Sequence, residues 1–231
     1  MFLAKDCSLA TISPTMPNMK KKLLLLAVVV FAIPNPAQAT SVKNAHFYGD
    51  SLMASLSPAI VQSDMTTPSW SFTDRAVPGT APCDMLPKLR ADMASANPPE
   101  VVVIEGIGNA STPCMAGAAI NTPRYFAKYR ADYAAMFAAA KPATVIYVAP
   151  PHMLLAGKEQ VVSKIMAIAL NEAAKANVNV STSGRWSVSL NNAFTWTLGG
   201  VTIRQPDGTH FTPSGAQRFA NAVIPTVMKL G

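Results

Sequence analysis

The chain has 231 residues, of which half are apolar and 13% charged, with a formal net charge of +7. That length suits one domain with a sizeable core, and the composition excludes intrinsic disorder. Beyond the first 39 positions the Lys and Arg residues are scattered rather than clustered, so no nucleic-acid partner is expected.

The first elements are those of an export signal. Met19-Lys20-Lys21-Lys22 is a basic opening, Leu23 to Ile33 an apolar run, and Ala37-Gln38-Ala39 a small-residue cleavage motif. The run stops at Pro34, short of the ~20 residues a membrane span needs. Residues 1–39 are therefore expected to be a secretory signal peptide cleaved after Ala39, with Met19 as a candidate true start; the competing reading is an uncleaved anchor. Residues 40–231 are expected to form a single domain, secreted or held in the periplasm or cell envelope, with no membrane span after cleavage. Cleavage removes Cys7 and leaves Cys83 and Cys114, an even pair that in an exported protein suggests a disulfide. Two Cys and three His show none of the usual ligand spacings, so no metal is expected.

Asn44–Tyr48 reads as a strand, and Ser51–Ile60 as a helix that begins at once after Gly49-Asp50. Ser69 to Val77 reads as a second strand, closed by a turn at Pro78-Gly79. Asp84 reads as the N-cap of a helix over Met85–Ala96, whose Met85, Leu86, Leu89 and Met93 keep helical spacing. The β-branched run from Val101 and the run from Ala143 to Pro150 suit strands buried on both faces of a parallel sheet. Helices are expected over Pro123–Ala140 and Gln160–Ala176, then a short strand at Val178–Val180. Ser187–Ile203 has no clear period, and Gly199-Gly200 marks a turn. A last helix runs from Thr212, its N-cap, through Pro213 to Lys229. Strand and helix alternate, which implies a three-layer α/β/α fold with a mostly parallel sheet of about five strands. Ligands of such sheets bind beyond the carboxyl ends of the strands, where Ser51 lies.

A serine hydroxyl is a poor nucleophile until a base takes its proton and an acid orients that base. His46 falls inside the first strand and reads as a packed histidine. His152 follows Pro150-Pro151 in a loop. His210 stands three residues after Asp207 on a turn containing Gly208, a spacing that lets the carboxylate fold back onto the imidazole. Asp50 reads as a cap or hydrogen-bond partner, because Asp207 is better placed beside His210.

The blocks Gly49-Asp50-Ser51 and Asp207-Gly208-Thr209-His210, the second followed by Thr-Pro-x-Gly, resemble those of GDSL-type members of the SGNH hydrolase superfamily. The resemblance spans essentially all of residues 40–231. It implies a serine esterase or acylhydrolase that forms an acyl-enzyme: Ser51 as nucleophile, His210 as base, Asp207 as its orienting acid, and no cofactor. It also implies an oxyanion hole of the Ser51 and Gly79 N–H groups and an asparagine. The family's third block is usually Gly-x-Asn-Asp. Here Glu105 to Ser111 departs from it: Asn109 follows Ile107 rather than Gly, and a register starting at Gly108 would place Ala110 in the asparagine slot. Cys83 and Cys114 follow these two oxyanion segments, as in a secreted subset of the family, and a bridge would tie the loops together. The implied substrate is a small-molecule or glycan-linked ester. The alternatives are an O-acyltransferase acting on glycans and a catalytically weak binding module on the same fold.

Overall fold

In chain order the elements are β1 (Lys43–Tyr48), α1 (Ser51–Ala54), α2 (Ser57–Thr66), β2 (Trp70–Asp74), α3 (Pro82–Met93), β3 (Val101–Ile104), α4 (Pro123–Ala139), β4 (Thr144–Val148), α5 (Ala156–Ala176), β5 (Asn179–Ser181), α6 (Ser183–Ser187), β6 (Thr197–Leu198), β7 (Val201–Thr202) and α7 (Pro213–Leu230). The computed structural model describes residues 42–231; the signal-peptide expectation for residues 1–39 lies outside the described residues. Strands β1 to β5 form one parallel sheet in the order β2-β1-β3-β4-β5, and β6 and β7 form a separate antiparallel pair.

Alternation along the strands builds the three layers. Phe47, Val101, Val103, Ile146 and Val148 point to a core shared with α1, α2 and α7. Tyr48, Val102, Ile104, Val145 and Tyr147 point to a second core against α3, α4 and α5. Both faces are covered, which is why β3 and β4 are continuous apolar runs rather than alternating ones. The second core is lined by Tyr125, Tyr129, Tyr133 and Phe137, spaced four apart down one side of α4. Among the described residues no helix is long and apolar enough to cross a membrane.

Several boundaries differ from the sequence reading for local reasons. The single helix expected over Ser51–Ile60 is two: α1 closes after one turn, and Pro58 starts α2 as an early helical residue. Helix α3 begins at Pro82, so Asp84 is not its N-cap but its third residue; its carboxylate reaches back to accept from Ala81 N–H at 2.8 Å. The unclear stretch before Ile203 holds the β6–β7 hairpin, turned by Gly199 and Gly200. Helix α7 starts as expected, with Thr212 Oγ1 accepting from Gly215 N–H.

Cys83 and Cys114 form a disulfide. It ties the start of α3 to the 3-10 turn Pro113–Met115 that follows the β3 loop. Closing a loop with a sequence separation of 31 stabilises by roughly 3–4 kcal/mol in the chain-entropy account. Asp84 lies close by, but both sulfurs are used in the bridge and offer no thiolate to a metal.

Candidate active site

In the order β2-β1-β3-β4-β5, consecutive connections leave β1 in opposite directions, which makes its carboxyl end the switch point where ligands of such sheets bind. Gly49, Asp50 and Ser51 occupy that end. Gly49 has to be glycine because a Cβ there would lie 2.3 Å from Met53 Cβ. Asp50 is fully buried and caps α1: its Oδ1 accepts from Leu52 N–H at 3.0 Å. Its Oδ2 accepts from Ile107 N–H at 2.8 Å and from Asn109 Nδ2 at 3.3 Å, which pins the loop after β3 to the Gly49–Ser51 turn.

The other half of the site is the turn before α7. Gly208 takes φ +65°, and its own N–H closes onto Gln205 O at 3.0 Å. This brings Asp207 back onto His210. Asp207 Oδ2 accepts from His210 Nδ1, and Oδ1 accepts from the N–H groups of Thr209 and His210 at 2.9 and 3.0 Å. With Nδ1 carrying the proton, Nε2 is left as the acceptor, and Ser51 Oγ stands 2.9 Å from it. The burial it has opposes ionisation of Asp207, but the His210 ring and the two N–H groups outweigh it and hold the carboxyl down at about 2.

Arg204, which sequence reasoning passed over, holds this turn from behind. It is buried, donates to Thr209 O at 2.7 Å and to His152 O at 2.8 Å, and packs its guanidinium over the rings of Phe211 and Phe194. Burial lowers its pKa to about 10, against the pull of Asp207 and Glu159. Its signal in the sequence is faint, because Phe194 and Phe211 lie on either side of the hairpin. His152 is a structural member of the same cluster, its ring between Glu159, Arg185 and Asn192. His46 packs against Asp92 beneath α3, where burial depresses its pKa, partly offset by that carboxylate.

Of the residues expected in an oxyanion hole, Gly79 is exposed at φ +81° in the loop after β2. That loop touches the Gly49–Ser51 turn through Val77 N–H, which donates to Gly49 O at 3.0 Å. Asn109 lies in the same place: its Nδ2 is 3.0 Å from Thr80 O and 3.3 Å from Asp50 Oδ2. Ala110 instead packs against the second core. The structure thus brings Ser51, Asp207 and His210 together, bonds Asn109 to Asp50 beside them, and leaves Gly79 in a loop that meets the Gly49–Ser51 turn through Val77.

A second residue missed from the sequence lies under that turn. Glu105, at the end of the apolar run of β3, is 1% exposed, and neither of its oxygens has a hydrogen-bond partner. Burial raises its pKa well above the usual carboxyl range, and the nearby Asp50 carboxylate adds to this; the Met53 and Asp50 N–H groups offset only part of it. Asp50 is held by three hydrogen bonds, whereas Glu105 has only the weak pull of two backbone N–H groups, so Glu105 keeps the proton and Asp50 the charge. A lone glutamate ending a fully apolar strand is the signal that could have found it.

Over residues 44–226 the sequence matches the family described as "Protein of unknown function (DUF459)". The chain belongs to that family. No curated protein matches the sequence significantly. The fold of this DUF459 member is that of GDSL-type SGNH hydrolases. It is similar to TesA, at 19% identity with a TM-score of 0.60, covering 82% of this chain and 100% of that one. It is similar to a lipase/acylhydrolase from Enterococcus faecalis, at 18% identity and a TM-score of 0.59, covering 81% and 96%. An acetyl xylan esterase from Geobacillus stearothermophilus matches at 15% identity and a TM-score of 0.58, covering 81% and 95%.

Proposed function

We propose that the protein is an exported serine esterase that cleaves carboxylic esters through an acyl-enzyme. The observation that carries this reading is the unbroken chain Asp207–His210–Ser51, with Ser51 Oγ 2.9 Å from the imidazole nitrogen left free to accept its proton. Ser51 Oγ attacks the ester carbonyl carbon while His210 Nε2 takes the hydroxyl proton, and Asp207 stabilises the imidazolium. The carbonyl oxygen becomes an oxyanion held by the Ser51 and Gly79 N–H groups, with one hydrogen of the Asn109 amide turning from Asp50 to join them. Collapse of the tetrahedral species breaks the carbon–oxygen bond to the alcohol, which leaves with the proton from His210. Water, deprotonated by the same imidazole, then attacks the acyl-Ser51 carbonyl; collapse releases the acid and returns the proton to Ser51. No step needs a cofactor.

The esterases and acylhydrolases among similar folds support this chemistry. The His210 and Asp207 side chains are 36% and 46% exposed, so water reaches the acyl-enzyme freely, which favours hydrolysis over transfer to another hydroxyl. An open site also admits esters borne on a large carrier such as a glycan. The disulfide fits an oxidising compartment, in keeping with cleavage of residues 1–39 as a signal peptide and a mature domain of residues 40–231 in the cell envelope or outside it. The test is turnover of p-nitrophenyl acetate. Ser51→Ala should lose at least ~10⁴-fold in kcat/KM with the fold retained; a Ser51→Ala protein as active as the wild type would overturn the reading.

A further inference from the structure

A cavity of about 370 Å³ opens beside the candidate site, lined by Ile107, Gly108, Ile120, Gly157, Lys158 and Val161. One wall is the loop after β3, whose Ile107 N–H is bonded to Asp50 and whose next residue but one is Asn109. The opposite wall, from the first turns of α5, reaches the catalytic turn, because Lys158 Nζ donates to Thr209 Oγ1 at 2.9 Å and Thr209 precedes His210. The cavity therefore adjoins the place where the ester carbonyl sits in the proposed reaction, and its volume falls in the range of small-ligand sites.

Its lining is apolar but for Lys158. That ammonium is half-buried, yet among the described residues it forms no ion pair. The two nearest carboxylates, Asp207 and Asp50, are each held by three other donors. Those carboxylates attract the ammonium without pairing with it, burial still opposes its charge, and one hydroxyl satisfies only one of its three donors. A carboxylate brought in by the substrate would supply what the fold leaves out.

We propose that this cavity is the acyl subsite and that Lys158 selects esters whose acyl chain ends in a carboxylate, as in half-esters of short dicarboxylic acids. The inference rests on the serine-esterase reading. The oxyanion must face the loop bearing Asn109, and the acyl carbons then run along Ile107 and Gly108, with Ile120 and Val161 flanking the methylenes. The terminal carboxylate turns to meet the Lys158 ammonium on the α5 wall.

The test compares p-nitrophenyl glutarate with p-nitrophenyl valerate, two esters of equal chain length that differ in the terminal charge. Wild-type protein should favour the glutarate ester by roughly tenfold or more in kcat/KM, the scale of a charge-assisted hydrogen bond. Lys158→Met should abolish that ratio, mainly by raising KM for the glutarate ester, and Lys158→Arg should retain it. Lys158→Glu should reverse it. Equal wild-type turnover of the two esters, dependent on Ser51, would overturn the subsite while leaving the esterase reading intact. So would a Lys158→Met protein that slows on both esters alike, which would mean that the lysine only braces Thr209. Turnover of neither ester, or turnover independent of Ser51, would overturn both readings.

Discussion

The two halves of the candidate site are built in opposite ways. The nucleophile turn is buried and non-local: Asp50 is fully enclosed and joins α1 to the loop after β3, across 57 and 59 positions of sequence, with Glu105 beneath. The base turn is exposed and local. Asp207 and His210 meet within four residues, and the same carboxylate accepts from three groups of its own turn. In the proposed reaction a nucleophile must stand at a corner that the sheet holds in place, whereas an imidazole needs a correct tautomer and direction, which a short turn can supply. Damage to the base turn should therefore cost rate with little stability, and damage to the nucleophile turn should cost both.

The largest effect separates these cases most cleanly. Asp207→Asn should lower kcat/KM on an activated ester by about 10⁴-fold, because the amide favours the wrong imidazole tautomer. Its Tm should stay within a few degrees of wild type, since the side chain is nearly half exposed. A Tm fall as large as that from a core substitution would show that the base turn is not self-contained.

Asn109→Ala should act on both properties. Loss of an oxyanion donor should lower kcat by roughly 10²-fold with KM little changed. The same change removes the amide donors from Thr80 O and Asp50, so Tm should also fall by several degrees, given about 2–4 °C per kcal/mol in a domain of this size. A kcat within about threefold of wild type would remove Asn109 from the site.

The smallest effect concerns Glu105→Gln, read by thermal unfolding across pH. The folded-state pKa of Glu105 is raised above its ordinary value of 4.5, so above that pH the unfolded chain releases a proton that the folded chain retains. The folded state then binds more protons, and wild-type stability declines as pH rises. Glutamine, which cannot ionise, should match wild type near pH 4 and exceed it in Tm by a few degrees at pH 8, with kcat within about threefold. An unchanging Tm difference between pH 4 and 8 would mean that Glu105 ionises in the fold.

The same contrast explains what was legible in the sequence. The base turn could be read because its partners are three positions apart and its helix begins with Thr212-Pro213. The strands β3 and β4 could be read because burial on both faces leaves an uninterrupted apolar run. The nucleophile turn gave up Ser51 but not its supports. Which loop Asp50 would hold, whether Asn109 or Ala110 would face it, and that Glu105 would lie beneath it all depend on β1 and β3 pairing, Phe47 with Val103 and Tyr48 with Ile104. Arg204 was missed because its acceptor His152 is 52 positions away and the β6–β7 hairpin is what folds Phe194 back onto it. The break between α1 and α2 was missed because Pro58 is compatible with a helix start as well as a stop.

Ser51 and His210 are 159 positions apart, and α7, which follows His210, covers the face of the sheet on which α1 rests. Strand β1, which precedes Ser51, lies inside the sheet between β2 and β3. The serine's partner His210 belongs to a segment 159 positions further on. A nascent or prematurely terminated chain would hold the serine without its base, whatever else had already folded. The order of elements thus makes the pair conditional on folding: in the proposed reaction Ser51 gains its base only when the segment bearing His210 has packed back onto the sheet.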